Sequence, residues 1–504
     1  MEVRRARPDW PVSGDTSRKV AKPLWIILAI LVCLLVMREL VHQSFFFDGA
    51  IYASIARNLS EGYGSPWELQ FSKTLFPVFS EHPPLMMWLQ SIGFRLFGDT
   101  ILVEKCFSLA TLIASGFILL KIWQSLHAND PELRLAGPLA LTMALAAGRM
   151  SWAFTNGMLE NLLIVFTSLA IYCIVKSYDQ SGDRNSASRL IIMMLAGFFV
   201  ALALMTKGPV GLFPVATPAI YWIVFRRPTL IRVLLDTIII TATVAAFFAL
   251  LLQLDGARDA IQRYLSIQLL PSLSGERGTR GGQWNAVRAF LRVNAYPAVI
   301  ALIIFLCDRR WGSQTVRDKT YKPARLRNAV FLALVGFSAS LPLLVSPRVA
   351  SFYFNPSLAY FASAFAVVSV PAVMRALRAL DVVSRRRLLS SLYTLLVLSI
   401  LLVAVNIGRP GVDADTIANA SKIASRVCAS DGACENVVTT CGAGFEDWAL
   451  HGYLERHHKI SLDDSKSGMG PYLLVDDTCK VDTSGYRDTG ISLSKYRLLQ
   501  RGMS

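Results

Sequence analysis

The hydrophobic pattern of the chain consists of long apolar segments separated by short polar stretches, and it changes character near residue 407. About eleven segments are long enough to cross the hydrocarbon core of a bilayer as helices. The pattern therefore predicts a polytopic α-helical membrane protein whose transmembrane domain covers residues 23–406. The predicted spans are centred near Leu31, Leu112, Leu141, Val165, Leu195, Pro218, Ala245, Leu302, Val335, Ala364 and Val397.

Residues 407–504 have the pattern of a soluble domain, in which apolar positions recur with both helical and strand periods. This pattern predicts a small α/β domain. It contains no nucleophile motif, phosphate-binding loop or metal-binding motif, so acceptor recognition or partner docking is the role we expect for it. The predicted helices are Ala414–Val427 and Glu446–Arg456, and the predicted strands are Val437–Thr440, Tyr472–Val475 and Leu493–Leu499.

The first loop, residues 42–100, separates the first two predicted spans and is unusually long. Asp48 stands at its membrane boundary, and apolar residues recur at helical spacing over residues 51–59. This spacing predicts a helix that lies flat on the bilayer surface. Further on, the EHPP motif at residues 81–84 precedes a second predicted helix, Leu85–Phe97, because proline suits the start of a helix. The two helices would hold acidic and basic groups at the membrane surface.

The composition is 53% hydrophobic and 17% charged, which lies outside the range of soluble domains. A net charge of +16 is compatible with nucleic-acid binding, but the cations concentrate in the N-terminal segment 1–22 and in short loops on one side of the predicted membrane. The positive-inside rule makes that side cytoplasmic and excludes nucleic acid as a partner. The first loop and residues 407–504 are then periplasmic in a bacterial inner membrane. No small-residue cleavage site follows the first span, which predicts an uncleaved anchor.

The eight cysteines fall into two groups. Four are scattered among apolar spans, where a lone cysteine behaves as a small hydrophobic residue. The other four, Cys428, Cys434, Cys441 and Cys479, lie in the predicted periplasmic domain, where an even number indicates disulfides. Zinc is the alternative, but no C-x-x-C pair occurs and the nearby histidines lack finger spacing. The favoured pairing is Cys428–Cys434 with Cys441–Cys479.

Several motifs occur in a fixed order: an acid after the first span, YASIARN at residues 52–58, EHPPLMMW at residues 81–88 and a closing Phe97-Gly98. In this set the chain resembles the polyprenyl-phosphate-sugar glycosyltransferases of the GT-C fold. That family includes lipid A aminoarabinose transferases, galacturonosyltransferases and protein O-mannosyltransferases. The resemblance implies an inverting glycosyltransferase that moves a hexose or pentose from a polyprenyl-phosphate donor to lipid A, lipopolysaccharide core, another glycan or a protein.

The resemblance also implies roles for particular residues. An acceptor hydroxyl must lose a proton to a carboxylate, and a leaving lipid phosphate needs cations. Asp48 matches the family acid that acts as the base, and Glu160 at the top of the fourth span would orient the acceptor. Lys207 lies in a TKGPVG turn that borders the donor site in the family. The candidate phosphate-binding residues are Arg57, Lys73, His82, Lys207 and Arg348.

Two departures from the family pattern concern His82 and a metal ion. Many members have lysine where this chain has His82, and histidine is only partly charged near neutral pH. Some members hold a divalent ion between an acid matching Glu81 and a histidine in a later outer loop. The corresponding basic loop, residues 255–292, contains no histidine. No cofactor is therefore assigned, and a divalent metal ion at Glu81 stays open.

The basic loop 255–292 carries six arginines and a glycine-rich centre on the predicted outer side. Arginine on that side is explained by phosphate binding, and the glycines predict a flap that closes over substrate. Contact with anionic headgroups is the alternative.

Two other functions fit a polytopic chain. A lipid-linked sugar flippase or transporter is expected to have ionisable residues in mid-span and internal repeats. A membrane anchor for a periplasmic binding domain needs neither so many spans nor the first loop. Most charges here stand at span ends, which favours the transferase. The sequence names neither the sugar nor the acceptor.

Overall fold

The computed structural model describes residues 14–179, 186–276, 282–311, 323–346, 349–428 and 436–502. Up to residue 406 the described chain is helical. The helices are α1 (Gly14–Val32), α2 (Arg38–Leu40), α3 (Phe47–Ser60), α4 (Leu85–Phe97), α5 (Ile101–Leu126), α6 (Pro131–Leu135), α7 (Gly137–Ala146), α8 (Arg149–Thr155), α9 (Leu159–Asp179), α10 (Ser186–Lys207), α11 (Thr217–Phe225), α12 (Leu230–Leu251), α13 (Asp255–Arg263), α14 (Leu270–Ser274), α15 (Gly282–Trp311), α16 (Pro323–Leu344), α17 (Asn355–Ala379) and α18 (Val382–Asn406).

Within the described ranges, nine helical segments are long and apolar enough to cross a membrane. The predicted class, a polytopic helical membrane protein with a small C-terminal sheet domain, is confirmed. The segments are Ala21–Leu40, Ile101–Leu126, Leu159–Tyr178, Ala187–Phe225, Leu230–Leu251, Trp284–Arg310, Pro323–Leu344, Ser351–Ala379 and Val382–Asn406.

The difference between nine segments and about eleven predicted spans has two sources. The segment Ala187–Phe225 contains two predicted spans, because the chain reverses at Gly208, which has a φ of 70°. The reversal brings Gly211 back against Ala203: a Cβ added to Gly211 would lie 2.7 Å from the carbonyl carbon of Ala203. In a continuous helix these two residues, eight positions apart, would be separated by about 12 Å. The second source is the span predicted near Leu141. It corresponds to the apolar helix α7, which is too short to be counted among the nine segments and is followed by α8.

Both predicted helices of the first loop are present. Helix α4 has the predicted bounds. All of Gly49–Leu59 in α3 is buried, so protein covers the apolar face that the spacing predicted to lie on a bilayer. The soluble domain covers it, with α3 packed directly against a helix of that domain.

The soluble domain has helices α19 (Ala414–Val427) and α20 (Trp448–His458) and one five-stranded sheet. The strand order is β2-β1-β3-β5-β4. Strand β1 pairs in parallel with β2 and β3, whereas β5 is antiparallel to β3 and β4. The strands are β1 (Val437–Thr440), β2 (Ser461–Asp464), β3 (Tyr472–Val475), β4 (Tyr486–Asp488) and β5 (Arg497–Arg501).

Three of the predicted elements of this domain, α19, β1 and β3, have the predicted bounds. The predicted helix Glu446–Arg456 corresponds to α20, which begins at Trp448. The prediction of a last strand at Leu493–Leu499 is wrong in its position, because β5 begins at Arg497. Strands β2 and β4 escaped prediction because they are short and contain acidic residues.

Helix α20 docks on the membrane part through polar contacts. The Tyr453 hydroxyl accepts the backbone N–H of Phe45 at 2.8 Å and lies 2.7 Å from the Asp413 carboxylate. Arg456 donates through Nε to Glu104 at 2.8 Å and through Nη1 to Asp99 at 2.6 Å. These contacts hold the soluble domain above the start of α3.

The predicted cysteine pairing falls partly within the described chain. Cys441 and Cys479 form a disulfide with Cα atoms 5.3 Å apart. This bond ties the end of β1 to the segment after β3. The predicted Cys428–Cys434 pair involves Cys434, which lies outside the described residues.

Candidate active site

The start of α3, which carries Asp48, is docked on the turn that precedes α9. The Phe46 backbone N–H donates to Oδ1 of Asn156 at 2.6 Å. Gly49 is required here, because a Cβ at that position would lie 2.1 Å from the carbonyl oxygen of Asn156. Gly157 completes the turn with a φ of 59°. The close packing brings the start of α3, which carries Asp48, onto the turn that leads into α9, and the first turn of α9 contains Glu160.

Glu160 is completely buried and pairs with the ammonium group of Lys207 at the end of α10. The other carboxylate oxygen, Oε2, has no hydrogen-bond partner among the described residues. An unpartnered buried carboxylate oxygen is costly, and such atoms call for a specific explanation. The Lys207 ammonium also lies 4.2 Å from the centroid of the Tyr353 ring. The pair therefore has an acceptor oxygen available for a hydroxyl or an amine.

Tyr52, one helical turn after Asp48, connects the acidic residues. Burial raises the pKa of its phenol well above the ordinary value, and the negative charges of Asp48 and Glu160 raise it further, with smaller effects from Tyr353 and Glu81. Three carboxylates thus lie within interaction range of one phenol that stays protonated. Sequence reasoning did not assign Tyr52 a role. Its spacing of four residues from Asp48 was the available signal, since such residues share a helix face.

His82 stands at the edge of this cluster. Its ring lies 5.8 Å from that of Tyr52 in an edge-to-face arrangement. It also lines a cavity of about 280 Å³ whose other walls are mainly apolar. The Tyr264 hydroxyl closes one wall against Gly208, where a Cβ would lie 2.1 Å from the phenol oxygen. Burial raises the pKa of Tyr264 to about 12. An apolar cavity thus begins beside His82 and the Lys207–Gly208 turn.

The predicted role of Arg57 in phosphate binding is wrong. The guanidinium is 1% exposed, and all its N–H groups are engaged within the protein. It donates to the Glu455 carboxylate at 3.0 Å, to the carbonyls of Glu455 and Arg456 at 2.8 and 3.1 Å, and to Asn58 Oδ1. Arg57 therefore joins α3 to the soluble domain.

Two other predicted phosphate ligands are not part of the described cluster. Lys73 has an exposed side chain, and its backbone N–H donates to the Ser461 hydroxyl of the soluble domain at 3.0 Å. Arg348 lies outside the described residues. Glu81 reaches the cluster electrostatically through Tyr52. No group of three or more metal-binding side chains occurs in the described part of the chain, and a divalent ion at Glu81 stays a prediction.

The basic loop is mostly helical where it is described, and most of the predicted glycine-rich flap, residues 277–281, lies outside the described residues. Helix α13 and a π-helical segment, Tyr264–Leu269, pack beside the cavity. Arg263 lies 3.4 Å from the Glu68 carboxylate of the first loop, and Gly256 approaches Trp67. These contacts make this segment one wall of the site.

Comparison with solved structures shows which fold this is. ArnT from Cupriavidus metallidurans bound to undecaprenyl phosphate matches with a TM-score of 0.61 and 18% identity, covering 98% of this chain and 99% of ArnT. The apo form of the same protein matches with a TM-score of 0.59 and 16% identity, covering 94% of this chain and 97% of ArnT. A third match is the archaeal oligosaccharyltransferase AglB from Archaeoglobus fulgidus in complex with an inhibitory peptide and a dolichol-phosphate. Its TM-score is 0.50 and its identity is 13%, covering 93% of this chain and 70% of AglB.

These matches extend over nearly the whole chain and establish a membrane protein of the GT-C fold. Residues 81–253 match the family described as dolichyl-phosphate-mannose-protein mannosyltransferase. The resemblance to GT-C glycosyltransferases of the PMT-like family, first noted from the first-loop motifs, is therefore confirmed. No sequence among the curated proteins matches.

Proposed function

We propose that the protein is an inverting glycosyltransferase that moves a sugar from a polyprenyl-phosphate donor to an acceptor in the bacterial cell envelope. One observation carries the proposal: the Glu160–Lys207 pair is buried with one carboxylate oxygen left without a partner, and the charges of Glu160, Asp48 and Glu81 all act on the pKa of Tyr52. Carboxylates and a cation in one partly buried site meet the needs of an acid–base transfer with an anionic leaving group.

In this mechanism the oxygen of the acceptor hydroxyl attacks the anomeric carbon of the sugar, and Asp48 takes the proton of that hydroxyl. A new glycosidic C–O bond forms, and the bond between that carbon and the phosphate oxygen breaks. The polyprenyl phosphate leaves with the electron pair. Lys207 and His82 stabilise its charge, and the free Oε2 of Glu160 orients the acceptor. Attack opposite the leaving group inverts the anomeric centre.

The lipid part of the donor fits the apolar cavity beside His82. Its volume is about 280 Å³ and its walls include Phe79, Phe248 and Leu265. An apolar cavity with Lys207 and His82 near one end suits a lipid chain, because the phosphate of the lipid would then lie beside these two side chains. The likeness to ArnT bound to undecaprenyl phosphate supports a donor of this class.

We place the site and the soluble domain at the periplasmic face of the inner membrane. The basic N-terminal segment and basic loops on the opposite side support this orientation through the positive-inside rule. The Cys441–Cys479 disulfide supports it as well, because such bonds form in oxidising compartments. Lipid A, lipopolysaccharide core, another glycan and a protein are the acceptor classes.

The test is transfer by purified protein from radiolabelled undecaprenyl-phosphate sugars to an envelope extract. Asp48→Asn should lower the rate by about a hundredfold or more, because the proton acceptor is lost while its shape is kept. Asp477→Asn is the matched control, since that carboxylate is exposed after β3 and belongs to neither the first loop nor the basic loop, and it should retain activity. Near-normal turnover by Asp48→Asn would show that another group is the base.

A second readout separates the transferase from the transporter. If wild-type protein transfers no sugar yet moves the labelled lipid across vesicles, the protein is a flippase. Mass spectrometry of lipopolysaccharide, glycolipids and envelope proteins with and without the protein would identify the sugar and acceptor together.

A further inference from the structure

Aromatic side chains connect the soluble domain to the candidate active site. Trp448, the first residue of α20, remains 38% exposed. Its ring lies 6.2 Å from that of Phe76 with the planes 22° apart, and 6.3 Å from that of Phe47. Phe47 directly precedes Asp48. A half-exposed indole is thus held by two phenyl rings next to the proposed base.

The sequence of α20 explains why Trp448 reaches this position. Asp447 caps the helix by accepting a backbone N–H of the first turn at 3.0 Å. One turn after Trp448 stands Gly452, where a Cβ would lie 3.2 Å from Cβ of Ala50 in α3. The missing side chain lets the two helices approach closely. Since residues four apart share a helix face, the same approach brings Trp448 to Phe47.

Phe76 is held in a strained conformation. Its φ is 51°, in the left-handed region that residues with a Cβ rarely adopt. Its carbonyl accepts the N–H of Phe71 at 3.1 Å, which closes the turn that directs the ring onto Trp448. Strain of this kind persists where the surrounding structure enforces it and is concentrated at functional sites.

The aromatic contacts continue inward and meet the donor cavity. The Phe76 ring lies 5.9 Å from that of Phe79, which lies 6.5 Å from that of Tyr52. Phe79 also lines the apolar cavity, whereas Trp448 and Phe76 do not. Trp448 and Phe76 therefore lie outside the cavity, and Phe79 connects them to it beside Tyr52. Two substrates that react with each other require such an arrangement.

We propose that Trp448, flanked by Phe47 and Phe76, is an acceptor subsite that stacks on a sugar ring, so that the acceptor is a saccharide or glycolipid. This inference rests on the proposed transferase function and adds the class of acceptor. The C–H face of a pyranose carries partial positive charge and packs on the negative face of an indole. The hydroxyl groups at the ring edge remain free for Asp48 and Glu160. The serine or threonine that a polypeptide acceptor offers has no ring of its own to stack.

Kinetics of the Trp448 variants test the subsite. Trp448→Ala should raise the KM for the saccharide acceptor about tenfold, with little change in kcat or in the KM for the lipid donor. Trp448→Phe keeps an aromatic face and should stay within about threefold of wild type. Trp25→Ala is the matched control, because Trp25 is 49% exposed on α1 and lies outside the first loop, the basic loop and the C-terminal domain. An unchanged acceptor KM in Trp448→Ala overturns the subsite while leaving the transferase intact.

Binding without turnover separates this inference from the proposed function. Deacylated lipid A disaccharide and an unglycosylated Ser/Thr peptide serve as probes in saturation-transfer NMR with wild-type and Trp448→Ala protein. Disaccharide binding that Trp448→Ala abolishes supports the subsite even if no transfer is found. Disaccharide binding that survives in Trp448→Ala, absence of disaccharide binding to the wild type, or transfer to the peptide instead overturns it.

Discussion

Two buried ion pairs at α3 each join a basic side chain to a glutamate, but they differ in how many of their hydrogen-bonding groups have partners. Arg57 and Glu455 join α3 to the soluble domain, and every N–H of the guanidinium is used within the protein. Lys207 and Glu160 stand near the first turn of the same helix, and one oxygen of Glu160 is left without a partner. A saturated pair holds two parts of a structure together, whereas an unsaturated one has capacity to bind.

The comparison shows why burial of a charged group does not by itself indicate function. Arg57 is 1% exposed and Lys207 is 9% exposed, so both cations are removed from water. The distinction lies in the remaining hydrogen-bonding capacity and in the neighbours. Lys207 lies against aromatic rings and directly precedes Gly208, which lines the apolar cavity, whereas Arg57 contacts backbone carbonyls. Predictions from this contrast concern stability for one pair and catalysis for the other.

The largest effect is expected from Arg57→Ala. Removing one partner of a buried pair leaves Glu455 uncompensated and should lower the free energy of unfolding by about 3–5 kcal/mol. Thermal unfolding of purified protein in detergent measures this. Lys459→Ala is the control, because its pair with Glu61 leaves the lysine side chain 48% exposed, and exposed pairs contribute about 0–1 kcal/mol. Equal destabilisation by both changes would contradict the assignment of Arg57 as the structural anchor.

A smaller effect, and on catalysis rather than on folding, is expected from Glu160→Gln. The amide keeps the size of the side chain but removes the charge opposite Lys207, so turnover should fall about ten- to hundredfold. In the Glu160→Gln background, where no buried carboxylate is left uncompensated, Lys207→Ala should chiefly raise the KM for the lipid donor, by about tenfold, since one charge-assisted contact to phosphate is lost. Steady-state kinetics at varied concentrations of the lipid donor distinguish the effect on kcat from the effect on the donor KM. If Lys207→Ala lowers kcat alone, the lysine does not bind the donor.

The smallest effect is expected from Tyr52→Phe. The phenol has a raised pKa and stays protonated, so it is a hydrogen-bond donor among negative charges. Without it the carboxylates lose a group that favours their charged forms, and the pKa of the catalytic base should rise. The acid limb of the pH profile of kcat/KM should therefore move to higher pH by about half a unit. An acid limb that does not move would separate Tyr52 from the base.

Much of the architecture was predictable from the sequence. Long apolar segments predict spans because backbone groups in lipid must be satisfied within helices, and this constraint acts locally. The bounds of α4, α19, β1 and β3 matched for a similar reason, since each has a clear period and a clear end. Predictions were wrong where a local signal was weak, as in the short acidic strand β2.

The surroundings of α3 were decided only by the tertiary structure. Its apolar spacing predicted a surface helix, because nothing in residues 47–60 reports that a domain some four hundred positions later covers it; Arg57 and Glu455 are separated by 398 residues. The motifs named Asp48, Glu160 and Lys207 as candidates but not how they are arranged. The partner of Lys207 follows from the packing of α10 on α9, and the surroundings of Tyr52 follow from the packing of α3 on the Asn156–Gly157 turn. Local patterns determine elements, whereas contacts between distant residues determine which charges are satisfied and which remain free to react.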